Sequence, residues 1–174
     1  GSTLTVKPFT ASRPIRVGSP TGTSTGTLDV SDSDLAAIAG GWGGIVIGDA
    51  AAGTGAVTVG SIGAQQGSKN SWLVSATTIV GGSVTVSQKV DVAATAGIFK
   101  LVARTGDVTV NAAINETAAE RNPWVFIQAD KAIAINAPVS STGTVSLVSG
   151  TTTSQAAASG LTTGGVRVSS GGDC

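Results

Sequence analysis

The chain contains no histidine, no methionine and no tyrosine, and its one cysteine is the last residue, Cys174. Without histidine, the commonest general base and metal ligand near neutral pH is missing. One cysteine forms no disulfide within the chain, and there is no Cys cluster to hold zinc. Charged residues are only 11% of the chain, and 10 Lys and Arg balance 10 Asp and Glu. No basic face is available for nucleic acid, and no cationic helix for a membrane surface. With no basic face no nucleic-acid partner is expected, and with no apolar run of about 18 residues no membrane insertion by a helix is expected. The missing Met and the opening Gly1-Ser2 read as a fragment cut from a longer protein. Cys174 then reads as a residue at the cut or an added handle.

Aromatics are scarce as well, at 3%, although hydrophobic residues reach 41%. That content argues against disorder. The core must therefore be built from small and β-branched residues, which favour strands, while 25 Gly supply turns. The 174 residues suffice for one domain with a real core.

The most informative feature is repetition. "GSVTVSQKVD", "GDVTVNAAIN" and "KAIAINAPVS" say nearly the same thing three times. The apolar pairs Val57/Val59, Val84/Val86, Val108/Val110 and Ile133/Ile135 recur at steps of 27, 24 and 25 residues. Between the members of each pair stands Thr58, Thr85, Thr109 or Ala134, the period of a half-buried strand. A second column is read as Trp72-x-Val74-x-Ala76, Phe99-x-Leu101-x-Ala103, Val125-x-Ile127-x-Ala129 and Val145-x-Leu147-x-Ser149. A third apolar point, at Val90, Ile114 and Val139, lies between the two columns, with Ile62 offset by one residue. Ser87, Asn111 and Asn136 follow the first strands. Asp91, Asn115 and Ser140 follow the third points. Asn and Asp suit corners, and stacked Asn residues can bond one another in a ladder.

An antiparallel sandwich gives no reason for matching positions to recur at a near-fixed step. A parallel coil does, because each circuit returns to its start one strand higher. The expected fold is therefore all-β: a right-handed parallel β-helix of roughly seven rungs. Its length at ~4.8 Å per rung is roughly 30–35 Å. Residues 55–174 carry the regular repeats, and residues 1–54 are a divergent, capping portion. In that portion strand signals stand at Thr3–Val6, Arg13–Val17, Gly26–Val30 and Gly44–Gly48. A short helical turn is expected near 32–39, capped by Ser31 or Asp32. "ETAAERNP" (Glu116 to Pro123) and "TTTSQAAASGLTT" (Thr151 to Thr163) read as side loops, the second delaying the strand "GVRV".

The lead "TLTVKPFTASRPIRVG", the turn "VSDSDLAAI" and the units "GGIVIGDAAAGTGAVTVG" and "GDVTVNAAIN…WVFIQA" together resemble filamentous-haemagglutinin-type β-strand repeats. These occur in large secreted bacterial adhesins, many exported by two-partner secretion. The resemblance covers most of the chain, and its order and spacing are more specific than any one motif. It implies a right-handed β-helix, a secreted or cell-surface location, and a stalk or adhesive role. It implies no catalytic residue and no cofactor.

Candidate chemistry is sparse. Asp29, Asp32 and Asp34 form the densest acid group, but the glycine and late glutamate of a calcium loop are missing, so helix capping is the expected role. Polysaccharide hydrolysis would need two carboxylates about 5–10 Å apart. Asp107 with Asp130 and Lys131, or Asp91 with Asn115, are the nearest approximations, and both read as corner residues. "RTGD" (Arg104 to Asp107) is not the integrin tripeptide, and "NET" at Asn115 is a formal glycosylation sequon. Aromatic rings can stack on sugars, so Trp42 in "GGWGG" and Trp124 are the candidate ligand-binding residues. Packing under the Glu116–Pro123 loop is the alternative for Trp124, and Trp72 and Phe99 are expected in the bore. The expectation is thus a non-enzymatic stalk or adhesive segment. Its partners would be glycans or surface proteins of host or neighbouring cells, with end-to-end or lateral self-association. The other readings are a carbohydrate-binding module with a specific site and, behind it, a polysaccharide-cleaving enzyme.

Overall fold

In a computed structural model of the protein, residues 1–18, 25–38, 41–62, 76–92, 98–116, 124–156, 161–162 and 165–170 are described. Alternating Val, Ile and Thr become short strands, because β-branched side chains pack well on a pleated, half-buried surface. The chain runs through β1 (Thr3–Val6), β2 (Ile15–Val17), β3 (Leu28–Val30), α1 (Asp32–Ala37), β4 (Gly44–Ile47) and β5 (Val57–Val59). It continues with β6 (Ala76–Gly81), β7 (Val84–Val86), β8 (Val90–Val92), β9 (Ile98–Ala103), β10 (Val108–Val110) and β11 (Ile114–Glu116). The last third holds β12 (Trp124–Ala129), β13 (Ile133–Ile135), β14 (Val139–Ser140), β15 (Thr144–Ser149), β16 (Thr153–Gln155), β17 (Leu161–Thr162) and β18 (Gly165–Ser170).

These strands form three sheets, and every strand pairing is parallel. Sheet A has seven strands, ordered β1-β4-β6-β9-β12-β15-β18. Sheet B also has seven, ordered β16-β13-β10-β7-β5-β2-β3, and sheet C has four, ordered β17-β14-β11-β8. From β7 onward the chain visits B, C and A in strict rotation, four times over. Each visit lands beside the equivalent strand of the circuit before. Val84, Val108 and Ile133 stand in one register column, and Val90, Ile114 and Val139 in another. The expected first strands and third apolar points are therefore placed as the sequence pattern read them. Ile62 reaches sheet C through a single parallel bridge to Val90.

One interior runs through all three sheets. Each of β5, β7, β10 and β13 buries its outer two residues and leaves the middle one half-exposed. Ile15 near one end and Leu147 near the other belong to the same apolar cluster. Each fully buried Val, Ile or Leu contributes about 1.5–3 kcal/mol relative to exposure.

Three readings of the sequence need correction. The second column does not begin Trp72-x-Val74-x-Ala76. Thr77, Ile79 and Gly81 are the residues that face Phe99, Leu101 and Ala103, and Ala76 is exposed. Both triplets alternate, and a period of two cannot by itself fix the register. Trp72 and Val74 lie outside the described residues, while Phe99 is buried in the interior as expected. Second, the segment Thr151–Thr163 is not a simple loop: it contains β16 and β17. Its strand was hidden because Thr153 and Gln155 stand at the register positions held by Ile133 and Ile135 one strand earlier. Third, Glu116 is not in a bulging loop but ends β11, with its side chain buried. The rest of that segment, residues 117–123, lies outside the described residues.

Residues 1–54 share the same sheets. β1 and β4 join sheet A, and β2 pairs in register with β5 in sheet B. The departure is β3, which lies beyond β2 at the end of sheet B, followed by α1. Ser31 is the N-cap: its hydroxyl accepts from the Asp34 backbone N–H, and the Asp34 carboxylate accepts from the Ser31 backbone N–H. This reciprocal pair satisfies two of the helix's orphan donors. Leu35 is buried in the common core, and Ile38 packs against it.

Candidate functional site

The corners between sheets hold polar side chains in ladders. Asn136 Nδ2 donates to Asn111 Oδ1 at 2.8 Å, one circuit away. Asn115 Nδ2 donates to Asp91 Oδ1 at 3.0 Å, and Ser140 Oγ bonds Asn115 Oδ1 at 3.1 Å. Lys89 adds an ion pair to Asp91 at 2.9 Å. Asp91 and Asn115 are thus bound to each other, as corner residues. Asp107 Oδ1 accepts from the Ala132 backbone N–H at 3.0 Å and ties its corner to the next circuit. Asp130 and Lys131 lie exposed beside that corner. What this cluster visibly does is hold turns.

The acid group near α1 is also engaged. Arg16 Nε and Nη2 grip Asp29 Oδ1 and Oδ2 at 2.8 and 2.9 Å, a two-pronged pair that clamps β3 to β2. The hydrogen bond to Asp29 raises the Arg16 pKa further. Ser31, through its hydroxyl and its backbone N–H, holds the Asp34 carboxyl below its ordinary value. A cleft of about 330 Å³ lies here, lined by Val6, Leu28, Asp29, Val30, Asp34 and Ile38. Its two carboxylates face partners within the fold. Asp49, after β4, is likewise held low, first by the Lys7 ammonium at 3.1 Å and then by the backbone N–H groups of Ala52 and Ala51. Among the described residues, no three His, Cys, Asp or Glu side chains gather as a metal would require.

Glu116 was not recognised as a buried residue from the sequence. It is 3% exposed, and its Oε2 accepts from Ser141 Oγ at 2.9 Å, Thr142 N at 3.1 Å and Thr142 Oγ1 at 3.2 Å. A buried carboxylate needs such donors to offset its desolvation. Here they lock the turn between β14 and β15.

The two tryptophan candidates are not brought together. Trp42 precedes β4 and Trp124 opens β12, with β6 and β9 between those strands. Three strand spacings separate those two strands by about 14 Å. Trp42 is 36% exposed in a glycine-flanked stretch beside the start of the chain, where the Gly43 N–H donates to Ser2 O at 2.9 Å. Trp124 is 38% exposed. Burial along β12 alternates, so Trp124, Phe126 and Gln128 share the outer face of sheet A, while Val125, Ile127 and Ala129 point inward. Lys100, directly opposite Phe126 on β9, places its ammonium 4.9 Å from the centre of the Phe126 ring. The sequence carried this signal. Once Val125 and Ile127 are assigned inward, Phe126 must face outward beside Trp124.

No protein family, curated protein or solved structure matches the chain.

Proposed function

We propose that the protein is a right-handed parallel β-helix forming a stalk or adhesive segment of a large secreted bacterial surface protein of the filamentous-haemagglutinin type. The observation that carries this reading is the parallel register sustained across two seven-stranded sheets. A strand that leaves a sheet and returns parallel to itself does so right-handedly in nearly all known cases, which supports the hand. The cyclic visits to three sheets, with like residues on like, support a coil whose length grows with each repeat. β3 and α1 would cap one end. At the other, Val168 in β18 is 56% exposed at a register position whose partner, Leu147, is buried. The work of such a segment is spatial: it carries contacts away from a cell and presents long faces of hydroxyl-rich side chains. Beads coated with the chain should adhere to cell layers more strongly than beads coated with an unrelated β-sandwich of similar mass. Equal adhesion by both would sink the adhesive reading.

A second reading is favoured by a specific observation, the paired outward aromatics Trp124 and Phe126. In this reading the segment is a glycan-binding module in its own right, with its site on the outer face of sheet A.

A further inference from the structure

The outer face of sheet A differs from the other two in its charge. Among the described side chains that alternate outward along its strands, only Lys100 on β9 carries charge. It is cationic, and its register partner on β12 is Phe126. Acidic residues in strands lie elsewhere, such as Asp29 in sheet B and Asp91 in sheet C. A chain with no net charge has therefore sorted its charges, leaving this face without a carboxylate among the described strand residues.

The aromatics lie on the same face. Trp124 and Phe126, two residues apart on one strand, stand about 6.6 Å from each other along it. Gln128 continues the line with an amide that both donates and accepts. Phe126 holds the Lys100 ammonium at its ring, so part of the ordering cost of that long side chain is met before any ligand arrives. Among the described residues no carboxylate pairs with Lys100. Trp124, two residues before Phe126 on the same strand, is 38% exposed.

From this we infer that the Trp124–Phe126–Lys100 face binds a carboxylate-bearing glycan chain, a uronate polymer. This rests on the glycan-binding reading above and names its ligand class. Pyranose C–H faces stack on Trp124, the sugar carboxylate meets the Lys100 ammonium, and ring hydroxyls bond Gln128. A neutral glycan leaves the cation unused, and a purely ionic polymer leaves the aromatics unused. The combination selects a ligand with both a ring face and a carboxylate.

The test uses the 174-residue chain and fluorescent hexamers of galacturonate, mannuronate and the glucuronate-containing hyaluronan repeat, each with its methyl ester. At least one acidic hexamer should bind at least about tenfold more tightly than its ester. Trp124→Ala should lower that affinity about tenfold or more with unchanged circular dichroism, because the residue faces outward. Lys100→Gln should remove the preference for the acid over the ester, and Lys100→Arg should retain it. Binding of esters and acids alike, still dependent on Trp124, overturns the uronate assignment and leaves a glycan-binding module. Binding unaffected by Trp124→Ala overturns the site. No binding by any hexamer, acid or ester, overturns both the inference and the glycan-binding reading.

Discussion

Replacing Ile127 by alanine should lower the free energy of unfolding by about 3 kcal/mol. Ile127 is fully buried, and its register partners are Leu101 on one side and Leu147 on the other. The substitution removes three carbons, about 2.4 kcal/mol of transfer energy at ~0.8 kcal/mol each. A cavity term adds to this, because both flanking strands are held in a hydrogen-bonded ladder and collapse only partly around the gap. Gln128, the next residue, is exposed, and its replacement by alanine should change stability by less than ~0.5 kcal/mol. Urea denaturation followed by circular dichroism measures both. The slope with denaturant should stay constant, so that the shift in midpoint reports stability. A loss below ~1 kcal/mol for Ile127→Ala, or equal losses for the two variants, would refute the inward assignment.

Glu116→Ala should cost about 1–3 kcal/mol, because it leaves the buried Ser141 hydroxyl and the Thr142 N–H without their acceptor. Glu116→Gln should cost less, and urea midpoints would rank the two. Gly150→Ala would press a methyl group into the Asp130 backbone carbonyl of the circuit before, at an ordinary backbone angle. The expected cost is about 1–3 kcal/mol, and a neutral thermal melt would mean that the circuits are not in this contact. Acid should weaken the amino-terminal region. Asp34 and Asp49 have folded pKa values below their unfolded ones, so their contribution is complete above the unfolded value of ~3.9. It is lost as pH falls through the lower folded values. Asp49→Asn should therefore flatten the fall in melting temperature between pH 5 and pH 3, and an unchanged fall would rule out this contribution.

The sequence made the middle of the fold legible and the ends less so. Val84, Val108 and Ile133 could be aligned because each circuit from β7 to β13 repeats both the alternation and the corner residue. The Asn111–Asn136 ladder followed from the same alignment. Where polar residues stand in place of Val or Ile the signal fails. Thr77 concealed the true start of its column, and Thr153 and Gln155 made β16 look like part of a loop. Glu116 failed for a different reason: a carboxylate in a polar stretch gives no sign that Ser141 and Thr142, 25 and 26 residues later, will satisfy it. The candidate site was half legible. Trp124 was found as an isolated aromatic, but its partners follow from register: Phe126 by alternation on the same strand, and Lys100 only once β9 and β12 are paired.

Everything above depends on parallel, in-register stacking of successive circuits. Scalar couplings through hydrogen bonds, measured by NMR on the isotope-labelled chain, test it most directly. Coupling is expected from the Val84 amide to the Asp107 carbonyl, from Val108 to Ala132, and from Asn136 back to Val110. In a parallel ladder one residue's N–H and C=O reach a neighbouring strand at two different residues. Reciprocal couplings that join two residues through both of their bonds would instead mark antiparallel pairing and rule out this stacking.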